Sequence, residues 1–107
     1  MPKDKFEALI GFAKRAAKIV YGYDELKKSR RIRLLAVSDT ASTNLADNMK
    51  RLAESTKTPL VIAPSLENIV GGNCKALGIT DASMAKGMTD FVSSSQQYQI
   101  YRSTEVR

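Results

Sequence analysis

Histidine and tryptophan are both absent from this 107-residue chain, and cysteine occurs once, as Cys74. Without histidine no Ser-His or Cys-His nucleophile pair can form, and zinc or iron would find almost none of their usual donors. A single thiol closes no internal disulfide, and residues 1–15 reach lysine and glutamate before an apolar run of signal-peptide length develops. The chain therefore reads as cytoplasmic. No stretch approaches the ~18 uninterrupted apolar residues of a membrane span, so no membrane partner is expected. The Gly-Lys-Ser/Thr sequence of a phosphate loop is missing too. The expectation is a protein that is not an enzyme and uses neither metal nor cofactor.

What is present is enough for one core. A hydrophobic content of 43% in a chain of this length fits a single domain that folds without disulfides. The net charge of +6 is unevenly placed: residues 1–51 carry 12 Lys/Arg against 6 Asp/Glu, whereas residues 52–107 carry 5 against 5. Lys14, Arg15, Lys18, Lys27, Lys28, Arg30, Arg31 and Arg33 face only Asp24 and Glu25 in that interval. Clustered cations gain from phosphate neutralisation and counterion release, which points to a polyanion; a solvated basic face would have the same composition.

The pattern along the chain alternates. Phe6, Leu9, Ile10, Ala13 and Ala17 share one face of a first helix over 3–18, with acids near its start and bases near its end. Ile19-Val20-Tyr21 is a short strand that stops at Gly22, and helix formers resume at Tyr23. Residues 32–37 form a buried-type strand, and a helix capped by Ser42 or Thr43 follows, with Leu45, Met49, Leu52 and Ala53 inward. Leu60 to Ala63 is the next strand, Pro64-Ser65 opens a short helix, Gly71-Gly72-Asn73 turns, Lys75 to Ile79 is a strand, and Thr80-Asp81 caps a last helix. This alternation predicts a three-layer α/β/α sandwich around a mixed sheet of about four strands, in one domain over 1–93. Residues 94–107 read as a polar mobile tail, with an edge strand at 98–101 as the competing reading.

The stretch from Leu9 to Ser29, "LIGFAKRAAKIVYGYDELKKS", and the spacing of "LENIVGGNCKALGITD" resemble the bacterial YlxQ-like branch of the kink-turn-binding ribosomal protein superfamily. The resemblance runs from about Phe6 to Met88. It implies an RNA-binding protein that reads a bent, G·A-paired, kink-turn-like element in ribosomal or other regulatory RNA, cytoplasmic and monomeric. The superfamily's Gly-x-Asn-Glu-x-x-Lys motif stands here as Gly22-Tyr23-Asp24-Glu25-Leu26-Lys27-Lys28, with aspartate in place of asparagine. A carboxylate such as Glu25 can accept from both N1–H and N2–H of one guanine, and Lys28, one turn on, can donate to O6, N7 or a phosphate. Asp24 accepts but cannot donate, so it loses a contact to guanine O6 and is assigned to capping its helix.

The resemblance places the second contact surface at Ile69, Val70, Gly71, Gly72 and Asn73, where an apolar edge packs on an extruded base and glycines allow close approach. For Ile69 and Val70, plain core packing is an equal alternative. Lys14, Arg15, Lys18, Lys27, Arg30, Arg31 and Arg33 would hold phosphates around the motif, with a pair to a carboxylate across the sheet as the alternative for Arg33. Of the two tyrosines flanking Gly22, Tyr21 is expected in the core and Tyr23 exposed for stacking. Cys74 is expected as a small buried hydrophobe. The alternative function is a protein–protein interaction module using the same fold and basic face, as in the Gadd45-like branch.

Overall fold

The structure, a computed structural model, describes residues 4–101. Five helices and five strands alternate in the order α1 (Lys5–Arg15), β1 (Ile19–Tyr21), α2 (Tyr23–Lys28), β2 (Leu34–Ser38), α3 (Thr43–Thr56), β3 (Leu60–Ala63), α4 (Leu66–Val70), β4 (Ala76–Ile79), α5 (Ala82–Ser93) and β5 (Gln99–Tyr101). The expected sandwich is present. One mixed sheet runs β1-β4-β2-β3-β5, with β2 and β3 parallel and every other pair antiparallel.

The three long helices begin where side chains accept backbone N–H groups that have no partner inside the helix. Asp4 takes the amide of Glu7, Ser42 that of Leu45 and Asp81 that of Met84, at 2.9, 3.1 and 2.9 Å. Strand alternation then divides the core between two layers. Leu34 and Ala36 of β2 point to the face covered by α1, α4 and α5, where they meet Phe6, Ile10, Leu66 and Met88. Leu35 and Val37 point to the other face, with Leu26 of α2 and Met49 and Ala53 of α3. Since both faces are covered, all five residues of β2 are buried, which explains its apolar run.

Several boundaries differ from expectation. The first helix ends at Arg15 rather than residue 18, because Ala17 turns left-handed at φ 57° and is exposed instead of joining the apolar face. The second strand starts at Leu34 rather than residue 32, because Ile32 is spent packing beside α2. The expected tail is folded as far as 101, and the competing edge strand is the one that forms, over Gln99–Tyr101. Val61 pairs with Ile100, making β5 a fifth strand, and Tyr98 is buried against Phe6 and Phe91, with ring centroids 4.8 and 5.8 Å apart. The Tyr98 hydroxyl donates to Asp4 Oδ2 at 2.7 Å, and that of Tyr101 to Glu54. Glutamines in this segment occupy the exposed positions while Tyr98 and Ile100 turn inward, so a polar composition conceals an edge strand. The rest of the expected tail, 102–107, lies outside the described residues.

Candidate nucleic-acid interface

β4 runs against both neighbours, so its start lies beside the ends of β1 and β2. The Gly22 amide donates to Ala76 O at 3.0 Å and the Ser38 amide to Lys75 O at 2.8 Å. The start of α2 and the turn at 71–75 therefore emerge at the same end of the sheet.

Gly22 makes that emergence possible. Its φ of 87° and ψ of 146° lie where a side chain is strained, yet its carbonyl already accepts the Leu26 amide at 3.0 Å. Asp24 is not the cap expected of it: Gly22 holds that position, and no side chain accepts a bond there. Asp24 is instead the second residue inside the helix, its side chain 89% exposed and 4.0 Å from Lys27, where the helix dipole favours an acid without a capping bond. Leu26 is buried over Gly78 and fixes the rotation of α2. Glu25 and Lys28 consequently face solvent, with side chains 65% and 74% exposed, and pair with each other at 3.8 Å. So exposed an ion pair contributes little, and a ligand can replace either partner at low cost.

Across from α2, Val70 is core: it is 6% exposed, and its side chain is not free to meet a base as the second surface required. The last turn of α4 aims Val70 at the sheet, while Ile69 is half-buried at the rim. Beyond them Gly71, Gly72 and Asn73 are exposed, with φ of 95°, 63° and 60°. Cys74 is half-buried, not fully, and its thiol is pushed above the usual range by burial while it donates to Ala76 O at 3.2 Å. Lys14 Nζ donates to Val70 O at 2.9 Å, tying the end of α1 to this turn.

The basic residues do not form one patch around α2. Lys14, Arg15, Lys27, Lys28, Arg30 and Arg31 are exposed. Lys18, also exposed, lies at the far end of β4, where its carbonyl accepts the Thr80 amide at 2.9 Å. Arg33 lies there too, its amide donating to Ile79 O at 2.7 Å; it precedes β2 rather than lying in it, is exposed, and makes no cross-sheet pair with a carboxylate among the described residues. The tyrosines also exchange roles. Tyr21, on an edge strand, is 43% exposed, whereas Tyr23 is half-buried against the α2–α3 layer with Lys27 Nζ 5.0 Å from its ring centroid.

Two features escaped the sequence reading. Phe12 is 54% exposed beneath the Arg15 guanidinium. Glu67, on α4, accepts Ser38 Oγ at 2.6 Å and Thr40 Oγ1 at 2.9 Å, and Ser38 Oγ also accepts the Leu66 amide at 3.2 Å. The Ser38 hydrogen bond, ahead of the helix amide and Thr40, holds the Glu67 carboxyl below its ordinary value. This network pins the start of α4 to the end of β2 and so steadies the following turn. Nothing in sequence spacing signals partners 29 residues apart. Among the described residues no three His, Cys, Asp or Glu side chains converge on a metal position, and no helix is long and apolar enough to cross a membrane.

No protein-family model and no curated protein matches the chain. Among solved structures, a protein of unknown function from Bacillus halodurans superposes with a TM-score of 0.77 at 18% identity, covering 84% of this chain and 98% of that one. The chain is similar to it in fold.

Proposed function

We propose that this protein is a non-enzymatic RNA-binding protein that recognises a bent, G·A-paired, kink-turn-like element, in ribosomal or regulatory RNA. One observation carries the reading: α2, with its solvent-facing Glu25–Lys28 pair, and the exposed 71–73 turn emerge from the same sheet end. Glu25 would accept from N1–H and N2–H of a guanine whose edge is opened by the bend, while Lys28 donates to a purine acceptor or a phosphate. The Gly71-Gly72-Asn73 backbone would pass close to an extruded nucleotide. Lys27, Arg30 and Arg31 would hold the sugar-phosphate chain without reading sequence.

A gel-shift titration tests this on a kink-turn RNA and on the same RNA with its tandem G·A pairs converted to Watson–Crick pairs. Tighter binding to the first is expected, with Glu25→Ala reducing it by about 1–3 kcal/mol, the scale of a bidentate base contact. Equal, weak binding to both RNAs would leave only nonspecific charge.

A further inference from the structure

α1 and α4 enclose an open groove of about 510 Å³, lined among others by Gly11, Phe12, Lys14, Arg15, Asn68 and Ile69. Its volume is in the range of small-ligand sites, ~300–1,000 Å³. Phe12 is exposed on its wall with the Arg15 guanidinium carbon 5.0 Å from the ring centroid. A Cβ at Gly11 would meet only Arg15 Nη1, at an ordinary contact distance of 3.7 Å, so Arg15 lies back along the helix over Gly11. Lys14, at the rim, donates to Val70 O, which joins the groove to the 71–73 turn. Glu7 lines it as well and sets an acidic boundary on the α1 side.

The geometry points to a stacking subsite for one unpaired nucleotide, the base on the Phe12–Arg15 platform and its phosphate on Lys14. An aromatic face backed by a guanidinium accepts any base, because every base has a π-face, and flanking ammonium and guanidinium groups complement the phosphate. The half-buried Ile69 supplies an apolar edge opposite, and the Asn68 amide a polar one. The inference rests on the RNA-binding reading and extends its footprint: a single-stranded nucleotide flanking the bent element would leave past the 71–73 turn and enter the groove.

The test is a gel-shift series on the kink-turn RNA, blunt or with four unpaired adenosines at its 3′ or 5′ end. Phe12→Ala is expected to weaken binding of one flanked RNA about tenfold, which corresponds to about 1.4 kcal/mol of lost stacking, while sparing the blunt RNA and G·A discrimination. Phe12→Tyr should keep the flank's contribution. Flanked RNAs binding Phe12→Ala as tightly as wild type, with G·A discrimination intact, would overturn the subsite and leave the recognition reading standing.

If wild type fails to discriminate G·A pairs, the recognition reading fails alone, and an adenylate tetranucleotide then judges the groove by NMR. Shifts of the Phe12 ring and Arg15 side-chain signals on titration support the subsite. A Phe12 ring that ignores the tetranucleotide, or one that moves only with an acidic, leucine-containing octapeptide, overturns it.

Discussion

A methyl group at Gly78 would sit 2.6 Å from Leu26 Cδ2 and 2.9 Å from Ile32 Cγ2. Those are the side chains that set α2 against the sheet, so the cost of Gly78→Ala falls on the element carrying Glu25 and Lys28. Overpacking of this kind typically costs about 1–3 kcal/mol. Gly78→Ala is expected to lower the unfolding free energy by that amount, read as a reduced urea midpoint, and to weaken kink-turn binding together with it. Gly22→Ala acts differently, since nothing lies within 4 Å of its Cβ position and only the φ of 87° resists a side chain. A loss of about 1–3 kcal/mol in stability is the expected result in the same unfolding assay. Wild-type midpoints for either variant would contradict the stated role of that glycine.

Among the elements, α2 and β5 show how composition and placement diverge. The six residues of α2 are too few to be helical alone, and the burial of Leu26 holds them in place. β5 depends on Tyr98, which joins the segment before it to the start of α1 through Asp4. Burial, then the hydrogen bond to Asp4, pushes the Tyr98 phenol above its ordinary value of 10.0. The folded chain thus holds that proton more tightly than the unfolded chain does. Its stabilising contribution is complete below pH 10 and declines as pH rises further. Tyr98→Phe is predicted to cost about 1 kcal/mol at neutral pH through the lost bond, and to show a shallower alkaline loss of stability than wild type above that point. Parallel pH–stability curves for the two proteins would remove Tyr98 from that role.

The fold was largely legible element by element. Ser42 and Asp81 announced helix starts as capping residues, acids marked the start of α1, and apolar periodicity placed α1, α3 and α5. The site was legible in part. Spacing put Glu25 and Lys28 on one helix face, but which of Tyr21 and Tyr23 is covered depends on β1 being an edge strand and on α3 packing across α2. Val70 similarly became core only through the direction of the last turn of α4.

At the scale of the whole molecule the cations are spread from one end of β1 to the other. Lys18 and Gly22 are separated by about 13 Å at ~3.3 Å per strand residue, a distance an RNA helix lying along the strand would span. Lys18→Ala is therefore expected to weaken all structured RNAs alike and to reduce the slope of log affinity against log salt by about one unit, with G·A discrimination unchanged. An unchanged slope would place Lys18 outside the footprint.

Sequence by itself determined the alternation of helices and strands, the excess of positive charge in the first half, and the pairing of Glu25 with Lys28 across one turn, because these depend on local periodicity and residue type. Tertiary structure alone decided that α2 and the 71–73 turn share a sheet end, that Lys18 and Arg33 lie at the other, and that residues 99–101 complete the sheet. Those outcomes depend on which strands pair and in which direction, and such pairings join residues far apart in the chain.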